Sequence, residues 1–229
     1  MKNFLILIAI LSVSSAFGQN TFQLWHFNAK QGMQSDIVDL AKERWGDAKF
    51  KSGGIQVEAI KHGDNEWSHR IILFGEIGKI GRVDGDQQEY ERSFFRQKMN
   101  DYVEEWGPSS AGRFLDFVGN SELTAYPYIQ IYDLDLDDPV AFQKAHQKLL
   151  KSTAKDRADR PIAYGTYDVG GNGSSHWVAI GSSDFNDLMH QKVIGEKNVE
   201  AWAEWNKNNG GLESNTNFTI EVLAAFGSL

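Results

Sequence analysis

The chain has 229 residues, 23 Lys and Arg against 31 Asp and Glu, a formal net charge of −8 and no cysteine. The acidic balance argues against nucleic acid or an anionic membrane surface as partner, because both need clustered basic side chains. Without cysteine there are no disulfides, thiolate metal sites or cysteine nucleophiles, so a core drawn from the 41% apolar residues must hold the fold.

In chain order, the first signal is one of address. Lys2, the apolar run Phe4–Leu11 and the small residues of Ala16-Phe17-Gly18 read as an export signal cleaved before Gln19. The run is shorter than the roughly 20 residues that span a bilayer. No later stretch is apolar enough to cross one, so no membrane partner is expected after cleavage. Cleavage would leave 229 − 18 = 211 residues and, with Lys2 gone, a charge of −9.

Thr21–Asn28 is rich in aromatic and apolar residues and suits a strand. Met33, Ile37, Leu40, Ala41 and Trp45 recur at helical spacing, and Gly53-Gly54 stops that helix. Ile55–Lys61 alternates as a half-buried strand does, Gly63-Asp64-Asn65 turns the chain, and His69–Gly75 completes a hairpin. Asp86 and Glu89 have the spacing of a capping box at the head of a long helix. That helix is predicted to bury Phe94, Phe95, Met99, Tyr102, Val103 and Trp106, and to end at Gly107-Pro108 before a short strand, Arg113–Val118.

The second half repeats this order. Tyr126–Leu134 reads as a strand, and Asp138 caps a helix that starts on Pro139, where a missing N–H costs nothing. Phe142, Ala145, Leu149 and Leu150 form its apolar face. Ile162–Val169 and Ser175–Gly181 flank the turn Gly170–Gly173. A long helix from Ser183 or Asp184 carries Phe185, Leu188, Met189, Val193, Val199 and Trp202 and bends at Gly195; Phe218–Phe226 is the last strand.

Sliding the chain against itself by an offset of 107 lays Ile55–Ile72 on Ile162–Ala179. Five positions become identical: Ile55/Ile162, Gly63/Gly170, Asn65/Asn172, Ser68/Ser175 and His69/His176. Each half reads β-α-β-β-α-β, a ferredoxin-like unit, with boundaries at 19–120 and 121–229. The fold class is therefore α+β: two tandem units packed sheet to sheet, each sheet covered by helices on its other face. Strands buried on both sides need not alternate, and "HWVAIG" at His176–Gly181 does not.

This duplicated pattern, over residues 21–229, resembles the dimeric α+β barrel superfamily fused as a tandem pair. The superfamily includes antibiotic-biosynthesis-type monooxygenases, haem-degrading monooxygenases and chlorite dismutase-like haem proteins. The resemblance implies a pocket between the sheet and the two helices of a unit. It is one of topology, and it assigns no catalytic residue.

The candidate catalytic residues are His176 and His69, which recur at one place in both copies, each after a serine. Two readings stand for them: acid–base or ligand chemistry, or satisfaction of turn backbone groups. Around His176 lie Asn172, Trp177 and Tyr164 as candidate ligand-binding residues. Trp25 and His26 are further candidates on the first strand, His26 sharing a face with Phe22 and Leu24. Trp25, Trp67 and Trp177 fall near strand ends, where rings often line a ligand cavity. His146 and His190 read as surface or interfacial residues.

No metal is expected. Asp133–Pro139 lacks the glycine and glutamate of a calcium loop, and "GGNG" joins two strands, which is not the setting of a phosphate loop. Gly78–Gln87 reads as a flexible connection. The function expected is that of an exported barrel protein with a pocket for a small organic ligand, a cofactor-free monooxygenase or isomerase being its enzymatic form. Haem binding through a histidine, and a non-catalytic interaction module, are the alternatives. The oligomeric state is left open by sequence.

Overall fold

The computed structural model describes residues 20–63, 66–86 and 89–228. The stretch expected to be an export signal, Asn65 and the Glu89 side chain of the expected capping box lie outside the described residues. The elements are β1 (Asn20–Ala29), α1 (Gln34–Trp45), β2 (Phe50–Ser52), β3 (Gly54–Gly63), β4 (His69–Glu76), β5 (Gly81–Arg82), α2 (Glu89–Tyr102) and β6 (Val103–Val118). A second series follows: β7 (Tyr128–Leu136), α3 (Pro139–Ser152), α4 (Ala154–Arg157), β8 (Ile162–Val169), β9 (His176–Ser182), α5 (Phe185–Lys197), α6 (Val199–Asn208) and β10 (Leu212–Gly227).

Eight strands close into an all-antiparallel barrel of order β1-β4-β3-β10-β7-β9-β8-β6. Cut at two seams, the order becomes β6-β1-β4-β3 and β10-β7-β9-β8, the ferredoxin-like order written twice. The last strand of each half pairs with the second strand of the other, β10 with β3 and β6 with β8, so the sheets have no free edge. The offset found in the sequence holds in the pairing itself. Phe27 opposite His69 and Ala59 opposite His69 become Leu134 opposite His176 and Thr166 opposite His176.

Alternation along each strand sends one set of side chains into the barrel and the other under the helices. Outside the first half, Phe27, Val57 and Ile71 pack on Ile37, Ala41 and Trp45 of α1 and Met99 of α2. Outside the second half, Leu134, Tyr164 and Val178 pack on Phe142 and Leu150 of α3, with Trp205 of α6 against them. Inside, Phe22, Leu24, Phe74, Ala163 and Trp177 meet in one cluster and Ile131, Phe218 and Ile220 in another.

Two helix caps follow their sequence signals. Asp138 accepts from the N–H groups of Val140 and Ala141 ahead of Pro139, and Asp184 accepts from Asp187 N. Four expectations need correction. The second long helix stops at Tyr102, and Val103 opens the 16-residue strand β6, which runs through Gly107-Pro108. Pro108 has no N–H to give, and it falls where the β1–β6 ladder skips between Trp25 and Phe27, so the irregularity accommodates it.

The last helix breaks at Asn198, whose N–H turns back to Gly195 O, giving α5 and α6. Of the apolar face expected on α5, only Leu188 is buried; Phe185, Met189 and Val193 stay exposed. The loop after β4 is clipped: β5 pairs with β2, and Asp86 accepts from Arg82 Nε at 2.6 Å and Lys49 N at 3.1 Å.

Candidate functional site

Barrel closure decides which candidates meet. His69 and His176 point outward into the helix layers. Ser68 Oγ lies 2.8 Å from His69 Nδ1, and Ser175 Oγ 2.8 Å from His176 Nδ1. The same hydroxyls accept from Ala29 N (3.0 Å) and Leu136 N (3.2 Å), a pair related by the same offset. Each serine thus fastens the end of one strand to the start of a hairpin, and the histidine stands on it. His69 Nε2 lies 3.1 Å from Gln34 Oε1, so both ring nitrogens have a polar partner. Burial lowers the His69 pKa to about 4, with Lys61 adding to it, which keeps the ring neutral.

His69 stacks on Phe27 and His176 on Tyr164. His146, read as a surface or interfacial residue, is buried against Phe142 and Tyr164, and burial lowers it to about 4 as well. Trp25 packs on the first helix layer, and Asn172 is an exposed turn residue at φ 49°. Trp67 lies against Gly107, away from the cavity described next. The two histidines therefore sit on separate outer layers and share no site.

The structure brings together a different set. A cavity of about 130 Å³ occupies the barrel interior, walled by Phe22, Phe74, Phe114, Ile131, Ala163 and Trp177. Among the candidates, Trp177 lines it, and His26 stands next to it on the Phe22–Leu24 face. Phe22, Phe114 and Trp177 meet edge to face, with centroids 5.1–5.9 Å apart. Gly165 makes room for the indole: a Cβ there would come within 2.4 Å of the Trp177 ring.

One side of this apolar chamber is polar. Glu58 and Arg70 face each other across β3 and β4 and form a buried ion pair through Arg70 Nε. Gln56 lines the cavity beside them, and Arg70 also stands 5.5 Å over the Phe218 ring. From β7, Asp133 accepts from Tyr167 Oη (2.8 Å) and Thr216 Oγ1 (2.9 Å). Burial raises the Asp133 carboxyl against the pull of these donors and of Arg70. Burial, then the Asp133 charge, push the Tyr167 phenol well above its ordinary range. Burial and Arg70 lower His26 to about 4. Among the described residues, the interior thus holds one cation, two carboxyls with raised pKa and a neutral imidazole.

The cavity's mouth lies under the connection between β6 and β7, where Asn120, Glu122, Leu123 and Tyr126 line it. That connection is pinned to the turn before β8. Asn120 N donates to Asp159 O, Tyr126 Oη bonds the Asp159 carboxylate, and Arg160 lies over the Tyr126 ring. Arg160 is held in turn by Asp187, through Nη1 at 2.9 Å and Nη2 at 2.8 Å. Gly119, at φ 99°, permits the close approach, since a Cβ there would sit 2.2 Å from Arg160 O.

Sequence reasoning missed Glu58, Arg70, Asp133 and Tyr167. The signal for one of them was present: Gln56 and Glu58 alternate with apolar neighbours in a strand that the fold buries on both faces. The apolar cavity lies inside the barrel, not between sheet and helices as the resemblance implied; a separate cleft of about 380 Å³ lies between α3 and α6, lined by Ala145, Leu149 and Trp205. Haem does not fit the cavity. About 130 Å³ is too small for a four-ring macrocycle, and no histidine lines it among the described residues. Among those residues, no group of three His, Asp or Glu side chains is placed to hold a metal.

No protein-family profile matches the chain, and no curated protein sequence does. Solved structures do. A protein of Lactobacillus acidophilus provisionally named a monooxygenase superposes with a TM-score of 0.58 at 12% identity, over 92% of this chain and 98% of the other. One of Fusobacterium nucleatum, named likewise, gives 0.59 at 8% identity, over 93% and 97%. An anthrone oxidase-like protein gives 0.51 at 7% identity, over 92% and 93%. At these identities the likeness is one of fold, and it places the chain among tandem α+β barrels.

Proposed function

We propose that the protein is an exported small-molecule-binding barrel that holds its ligand inside the closed sheet. The observation that carries this reading is the interior cavity of about 130 Å³, apolar in its walls and charged on one side. Well-packed interiors leave few voids larger than a water molecule, so a chamber of this size lined by converging polar groups is the default binding site. The paired histidines belong to the scaffold in this reading, and the export signal supplies the address. The names of the fold neighbours do not extend to a reaction here, and the polar wall serves recognition whether or not chemistry follows.

Methyl NMR tests it. Labelled Ala163, Ala179, Ile72, Ile129 and Ile131 report on the chamber. A small apolar probe such as toluene is expected to shift these methyls and to leave those of the helix layers unmoved. Shifts confined to residues around Tyr164 and His176, or none at all, would overturn the reading. Filling the chamber with Ala163→Leu is expected to abolish the response in a protein that stays folded by circular dichroism.

A further inference from the structure

The wall of the chamber holds an unused fork. Arg70 is 5% exposed and lines the cavity, yet among the described residues only its Nε is hydrogen-bonded, to Glu58. Both amino ends of the guanidinium, Nη1 and Nη2, have no partner among those residues. The other nearby carboxylate, Asp133, is already engaged by two hydroxyls. The Nη1/Nη2 edge matches two oxygens of a carboxylate side by side.

The space beyond that fork is also specific. A cavity of about 150 Å³ lined by apolar side chains takes up benzene, and this one, at about 130 Å³, is of that class. Its aromatic wall presents Phe22, Phe114 and Trp177 in edge-to-face contact. A single six-membered ring fits such a frame, since aromatic pairs favour this arrangement.

We propose that the chamber takes a monocyclic aromatic carboxylate, its ring among Phe22, Phe114 and Trp177 and its carboxylate on Nη1 and Nη2 of Arg70. This rests on the reading that the interior is the binding site. Burial raises the Glu58 carboxyl despite Arg70, and Glu58 is bonded only on the Nε side of the guanidinium, leaving the Nη1/Nη2 edge for a second anion.

The experiment titrates the whole protein with benzoate, toluene and benzylamine, read by the same cavity methyls. Benzoate is expected to bind roughly tenfold to a hundredfold tighter than toluene, the span a hydrogen-bonded charge supplies. Glu58→Gln should tighten benzoate further by removing the rival anion, without touching Arg70. The double variant Glu58→Gln/Arg70→Met should keep toluene and lose the preference for benzoate. Toluene binding as well as benzoate, or benzylamine binding best, would overturn the inference while the cavity reading survives. If toluene also fails to bind, both fall.

Discussion

The two halves of the barrel agree on the outside and differ on the inside. Outside, Ser68-His69 and Ser175-His176 make the same bonds to equivalent strand ends. Inside, the positions related by the repeat carry different chemistry. Glu58 corresponds to Gly165, Arg70 to Trp177, Gln56 to Ala163 and His26 to Asp133, as the shared register requires. At the Glu58–Arg70 pair the first half supplies charge, and at the matching Gly165–Trp177 pair the second supplies a large ring with space for it. The serine joints shape the strand–hairpin junction that both halves need, so duplication retains them. The interior is shared by the halves, and there the copies divide the work. A symmetric pair of identical chains could not do this, because every interior residue would appear twice.

Acid should test the comparison most severely. His26 inside and His69 and His146 outside all have folded pKa values of about 4, below the ordinary 6.5. Depressed histidines stabilise the fold above the unfolded pKa, and that stability is lost as pH falls from about 6.5 through about 4. Denaturant midpoints measured across this window should drop steadily with net proton uptake on unfolding; a flat profile would show that the rings are not buried neutral.

Next in size is the ion pair. Arg70→Leu alone strands Glu58 and is expected to cost about 3–5 kcal/mol, whereas Glu58→Leu/Arg70→Leu should recover most of that. Equal losses in urea titrations of the single and double variants would mean that the pair is uncoupled. Gly165→Ala probes the opposite wall. Its Cβ would lie 2.2 Å from Arg113 O and 2.4 Å from the Trp177 ring, so a loss of about 1–3 kcal/mol is expected. The smallest effects should come from the joints: Ser68→Ala and Ser175→Ala each cost about 1 kcal/mol. Their agreement with each other is the informative measurement, because a marked difference would break the outer symmetry.

Much of this arrangement was legible in the sequence. The hairpins, the cap at Asp138 and Pro139, and the repeat follow from local chemistry and from one offset. The start of β6 was not legible, because Tyr102, Val103 and Trp106 prolong the helical period of α2. What ends the helix there is pairing with β1, at the far end of the same half. The site was hidden for a related reason. Gln56 and Glu58 alternate with Val57 and Ala59 as a solvent-facing edge would, and only closure of the sheet turns that polar face inward. Trp177 and the facing of His26 could be read from position; their partnership with Arg70 and Tyr167 depends on strands from both halves.

The seams carry one more consequence. Since β6 completes the sheet of the second half and β10 that of the first, each half on its own would lose a neighbouring strand along two of its edges. The polypeptide should therefore melt as a single cooperative block, and protease nicking between Asn120 and Tyr126 should leave two fragments that remain bound until the whole barrel opens.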